Sequence, residues 1–258
     1  MRLALRSEWT KIRTLTGPRW LLLAAIAATV ALSVAVTSVM TCAAAGCGHD
    51  TTKLSLTGVQ LGQALVVILA VLVISGEYST GMIGISLTAV PRRAIVLTAK
   101  AITITGVVAG AGTIAVLGSL LAGRLILPSH GFTPAHGYPP LSLADGPTLR
   151  ATVGSILYLA LIALLSLGVA TIVRDSATSI GVILGLLYLV PVLAPVIGDP
   201  HWQRLLQQIG PMSAGLTIQA TTDLHNLPIT PWAGLGVLTA WATAALLAGT
   251  LLLRLRDA

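Results

Sequence analysis

Six apolar runs, each about as long as a bilayer is thick, decide what this chain can fold into. They occupy roughly residues 20–40, 56–75, 101–123, 151–173, 177–197 and 232–253. A helix rises ~1.5 Å per residue, so about 20 residues cross the ~30 Å hydrocarbon core. In lipid every backbone N–H and C=O must be satisfied, which leaves helices or closed barrels. The runs lack the apolar–polar alternation of a barrel strand, so helices remain. Only 9% of the 258 residues are charged and 55% are hydrophobic, whereas a soluble domain carries about 25% charged residues. The sequence therefore predicts an all-α integral membrane protein, one transmembrane domain of six spans covering residues 1–258.

The first run needs separating from a targeting signal. Arg2, Arg6, Lys11, Arg13 and Arg19 precede the apolar stretch from Trp20 to Met40. A signal peptide has an apolar core of about 7–15 residues, and this stretch is longer. AAGC at 44–47 faintly resembles a lipoprotein cleavage site, but cleavage would still leave five spans, so an uncleaved anchor is expected. Before it, Leu5, Trp9, Ile12 and Thr16 share one side of a helical wheel with Arg2, Arg6 and Arg13 beside them. Tryptophan at headgroup depth with bases toward anionic lipid is the pattern of an interfacial helix.

Charge sets the orientation. Formal net charge is +7, and the bases sit beside apolar runs rather than in aromatic-rich patches. The expected anionic partner is the membrane surface, with no nucleic acid. With both termini inside, the inner bases are Arg2, Arg6, Lys11, Arg13, Arg19, Arg92, Arg93, Lys100, Arg174, Arg254 and Arg256. The outer ones are Lys53, Arg124, Arg150 and Arg204. The positive-inside rule thus places both termini in the cytoplasm of a multi-pass protein of the cell membrane.

The outer segments carry their own signals. Cys42 and Cys47 are spaced to close a small disulfide if their loop faces an oxidising compartment; the alternative is two unpaired small residues at a membrane end. His49 and Asp50 lie beside them, but two ligands without a partner cluster do not make a metal site. Residues 128–149 are rich in Pro and Gly and read as a loop without regular structure. In PHWQRLLQQIGP, Trp202, Leu205, Leu206 and Ile209 follow i, i+3, i+4, i+7. That predicts a short amphipathic helix opened near Pro200 and stopped by Gly210-Pro211, an outer helical insertion between spans five and six. Within the spans, Gly58/Gly62, Gly106/Gly110 and Gly181/Gly185 recur at the spacing that lets helices approach closely. Pro191 and Pro195 predict a kink near the outer end of span five.

One inner stretch is unusual. Residues 75–93 read SGEYSTGMIGISLTAVPRR, between spans two and three. Tyr78, Met82, Ile85 and Ala89 share a helical face, while Glu77, Ser79 and Ser86 are polar. Gly81 and Gly84 would weaken an isolated helix here, so it needs a partner or the bundle. Arg92 and Arg93 then meet headgroups at the start of span three.

This stretch resembles the segment after the second span in permease subunits of ABC-2 type transporters. The residues that carry the resemblance are Glu77, Tyr78, Gly81, Leu87, Pro91 and Arg92; Met82 stands where threonine is frequent. The leader SEWTKIRT is similar to the start of many actinobacterial members. The resemblance extends over nearly the whole chain through the leader helix, six spans, inner termini and outer insertion. It implies that the stretch is a cytoplasmic coupling helix seated in a groove of an ABC ATPase. Two ATPase subunits and a second permease copy, identical or paralogous, would complete an exporter. ATP and magnesium would bind on the ATPase and no cofactor on this chain. The ATPase-coupling residues would be Glu77, Tyr78, Gly81, Met82, Pro91 and Arg92, with Trp9, Arg13 and Arg93 at the membrane interface. No P-loop glycine spacing precedes Lys11, Lys53 or Lys100, so energy must come from a partner or a gradient.

Two other classes fit less well. A gradient-driven transporter or channel tends to hold acids or histidines within its spans, and here all eight acids lie outside the spans or at their ends. An intramembrane enzyme needs a nucleophile, metal site or paired carboxylates at depth, and the spans offer none of these beyond Ser and Thr suited to helix packing. GAGTIA at 110–115 mimics half of a dinucleotide fingerprint but lies inside a span.

Overall fold

The structure, a computed structural model, describes residue 10 and residues 16–42, 47–79 and 93–255. Among the described residues every regular element is helical. Six helices are long and apolar enough to cross a membrane, which gives the chain the architecture of a multi-pass membrane protein. They are α1 (Thr16–Val39), α3 (Val59–Ser79), α4 (Arg93–Ile126), α5 (Gly146–Val173), α6 (Ser176–Leu193) and α9 (Pro231–Leu255). Three shorter helices complete the set among the described residues: α2 (Thr51–Ser55), α7 (Pro200–Ile209) and α8 (Pro211–Gly215).

The helices outrun the apolar runs that announce them. The run at 101–123 belongs to a helix of 34 residues, about 50 Å long at ~1.5 Å per residue and so well beyond the ~30 Å core. A charge such as Lys100 or Arg124 bounds a hydrophobic run, but it does not stop a helix. Span five behaves differently: Pro191 lies inside α6, which gives way to a 3₁₀ turn, Ala194–Val196, at Pro195.

Side chains are sorted as lipid requires. Helix α1 buries Ala25, Thr29, Ser33 and Thr37, one residue per turn, while Trp20 and Leu23 are exposed. Lipid is as apolar as leucine, so close contact, not exclusion of apolar surface, drives helix association. Six buried hydroxyls return to their own helix: Thr29 Oγ1 donates to the Ala25 carbonyl at 2.6 Å, and Thr37, Thr103, Thr152, Ser166 and Thr171 also bond four residues back. Helix α5 runs through the centre of the bundle, with Tyr158, Ile162, Leu165 and Leu167 fully buried or nearly so.

The glycine expectation holds for one pair and fails for two. A Cβ on Gly58 would stand 1.8 Å from the Thr29 carbonyl oxygen, and one on Gly62 would stand 2.1 Å from Thr29 Oγ1. At Gly106, Gly110, Gly181 and Gly185 a Cβ would meet nothing within 4 Å. The bundle relies instead on single glycines facing single partners. Gly168 of α5 packs on Ala245 of α9, and Gly234 of α9 packs on the Ala214 carbonyl. Such pairs sit on different helices, so four-residue spacing within one helix does not find them.

Candidate functional sites

The alternation of spans gives the bundle two ends. One end, the elbow end, holds the last turn of α3, the start of α4 and the α5–α6 link, and takes its name from the elbow, the 75–93 stretch between α3 and α4. Of the coupling residues the sequence singles out, Glu77 and Tyr78 lie in the last turn of α3, and Arg93 opens α4. Gly81, Met82, Pro91 and Arg92 lie outside the described residues, as do Trp9 and Arg13. The two helices flanking the elbow are joined just beside it. Lys100, 2% exposed, extends from α4 and its Nζ donates to the Val73 carbonyl of α3 at 3.4 Å. Val73 is one helical turn before Glu77, so a buried lysine sits at the base of the segment that enters the elbow.

The α5–α6 link is tight. Arg174 takes a left-handed conformation, φ 63°, and its amide donates to the Ala170 carbonyl at 2.9 Å. Asp175 then caps α6, its carboxylate accepting from the Thr178 amide at 2.7 Å. That backbone N–H holds the Asp175 carboxyl below the usual carboxylate range.

The opposite, disulfide end is more built. Cys42 and Cys47 form a disulfide. The Cys42 amide donates to the His130 carbonyl at 2.9 Å, and a Cβ at Gly131, φ 91°, would stand 2.1 Å from the Cys42 carbonyl oxygen. Cys42, Leu127, Phe132 and Leu141 form a small apolar cluster, with the Phe132 and Tyr138 rings edge to face at 5.1 Å. The segment 128–149 is thus not structureless. It carries 3₁₀ turns at Leu127–His130 and Pro134–His136 because its aromatic residues find the disulfide loop.

After α7 the chain turns inward. The amphipathic helix expected from Pro200 to Gly210 is α7, and α8 with the 3₁₀ turn Leu216–Gln219 follows it into the bundle. Met212, Ala214, Thr217, Ile218 and Gln219 are all buried there. A polar line ties this re-entrant piece to the spans. Gln219 Nε2 donates to Ser155 Oγ at 3.1 Å, Gln63 Nε2 donates to Met212 Sδ at 3.2 Å, and Tyr158 Oη donates to Gln63 Oε1. Tyr188 Oη donates to the Gln60 carbonyl. Gly215 lets the α8 backbone lie against the Tyr158 ring, where a Cβ would come within 2.6 Å.

Two opposite charges hold the exit of the re-entrant piece. Arg150 of α5 donates through Nη2 to the Ala220 carbonyl. Asp50 accepts from the Thr221 amide, from Thr221 Oγ1 at 2.7 Å and from the Thr222 amide at 3.1 Å, while capping α2 through the Lys53 amide at 3.0 Å. The carboxylate that invites a metal reading is therefore spent on donors from α2 and from the loop after Ala220. Its capping role is legible in DTTK; its reach to Thr221, 171 residues away, has no sequence signal. Compared with protein-family models and with curated proteins, the chain matches none.

Proposed function

We propose that this chain is the membrane-spanning permease subunit of an ATP-driven ABC-2 type exporter. In this reading it works as a dimer with a second permease copy and takes its energy from two separate ATPase subunits. The observation that carries it is the coincidence of six spanning helices with the GEYSTG…AVPRR stretch between the second and third of them. Support also comes from the buried Lys100 tie at the mouth of that stretch, which gives α3 and α4 a common base through which a push could move both. ATP and magnesium would bind on the partner, and this chain would convert the closing of the ATPase pair into helix movement. Its termini and elbow would then be cytoplasmic.

The test is purification of the chain from its own membrane in mild detergent, followed by assay for ATP hydrolysis. A co-purifying, vanadate-sensitive ATPase is the expected result. Movement of a solute by proteoliposomes free of any nucleotide-hydrolysing companion would instead establish the gradient-driven alternative.

A further inference from the structure

Near the disulfide end, α4 and the segment before α5 enclose a cleft of about 270 Å³ walled by Leu117, Leu120, Leu121, Leu141 and Leu143, with Arg124 at its rim. Leu117, Leu120, Leu121 and Arg124 fall at i, i+3, i+4 and i+7, so the apolar stripe on α4 ends in a base one turn further on. Leu117 and Leu121 are exposed on the chain, and on a spanning helix such residues face lipid or a neighbouring chain. Arg124 is exposed too, and among the described residues no hydrogen bond or ion pair engages it. It lies two residues before the end of α4, where a long basic side chain reaches the headgroup layer.

Two of the other three outer bases differ, and the third, Arg204, lies exposed on α7 outside this cleft. Arg150 is engaged by the Ala220 carbonyl, and Lys53 borders a cleft of about 380 Å³ shared with His49, Asp50 and Asp223, which offers an acyl chain little apolar surface. No acid lines the Leu117–Arg124 cleft among the described residues, so nothing on its walls competes with an anion for the guanidinium.

We infer that this cleft is a binding site for one anionic phospholipid, an acyl chain lying along Leu117–Leu121 and the phosphate on Arg124. The ligand is recognised by charge above and chain below, and the site is independent of the transport reading; it needs only that α4 face lipid.

The test is native mass spectrometry of the full-length detergent-purified protein titrated with phosphatidylglycerol, and separately with phosphatidylcholine. Wild type should hold one phosphatidylglycerol more tightly than the rest. Arg124→Gln should weaken that adduct about tenfold, the weight of a charge-assisted hydrogen bond, and Arg124→Lys should restore part of it. Leu121→Trp, which fills the cleft from its exposed wall without changing charge, should weaken it as well. Lys53→Gln should leave it unchanged. Equal phosphatidylglycerol binding by wild type and Arg124→Gln overturns the proposal. So does equal affinity of wild type for the two lipids. Loss of a dimer mass, rather than of lipid, in Arg124→Gln would assign the face to a second copy and overturn it too.

Discussion

Replacing Tyr158 with phenylalanine removes one oxygen from the centre of the bundle and should cost more than that atom's packing. Tyr158 and Gln63 are both 0% exposed, and the phenol donates to Gln63 Oε1 while Gln63 Nε2 is held by Met212 Sδ at 3.2 Å. In Tyr158→Phe the amide oxygen keeps its burial and loses its donor. An orphaned buried acceptor costs about 1–3 kcal/mol, and side-chain hydrogen bonds measured within membranes reach at most about 1.7 kcal/mol. The expected loss is therefore about 1–2 kcal/mol. At about 2–4 °C per kcal/mol for a chain of this size, Tm should fall by about 2–8 °C. Thermal unfolding of the detergent-purified protein, followed by tryptophan fluorescence, reads this directly. Adding Gln63→Leu should cost less than the two single losses together, because the double variant buries no orphan. A Tyr158→Phe protein as stable as wild type, with a cycle additive within about 0.3–0.5 kcal/mol, would refute the claim that this pair stitches span two to span four.

Further outcomes follow from other contacts. Asp50→Ala removes the acceptor shared by the Lys53, Thr221 and Thr222 amides; it should lower stability by about 2 kcal/mol and raise hydrogen exchange in the first turn of α2 and in the 221–222 loop. Gly234→Leu collides with the Ala214 carbonyl and should abolish a monodisperse protein on gel filtration, whereas Gly181→Leu, open on all sides within 4 Å, should leave the monomer's Tm unchanged. Cys42 and Cys47 should resist alkylation in protein isolated without reductant and take up two alkyl groups after reduction. The Asp175 carboxyl, held low by the Thr178 amide, stabilises α6 while ionised. Its contribution is complete above the usual carboxylate range and is lost as pH falls through the lowered folded-state value. The Tm gap between wild type and Asp175→Asn should accordingly be widest near neutral pH and close in strong acid.

The helices were legible and their partners were not. An apolar run announces a span because burial in lipid needs no pairing information, and each of the six runs falls mainly on one spanning helix. Their ends are not legible where a charge bounds the run: Lys100 reads as the edge of a loop but is a buried donor to Val73. The amphipathic α7 was legible from its own period. The inward turn that follows it was not, because PMSAGLTIQ has neither the length of a span nor the polarity of a loop. Gln60 and Gln63 are visible in the sequence as polar residues within a span, but only folding brings Tyr158, 95 residues away, against Gln63. Asp50, Arg150 and Gln219 carried no sign of their partners for the same reason. The elbow is the reverse case: its residues are distinctive in sequence, and they give the chain its functional reading.

That reading stands or falls on one variant. The central claim is that ATP-driven force enters through the elbow at Glu77. Glu77→Ala should leave the amount of chain and of bound ATPase in detergent extracts unchanged while ATP hydrolysis by the complex falls. Full ATP hydrolysis by the Glu77→Ala complex, or no ATPase bound to the wild-type chain at all, would contradict it.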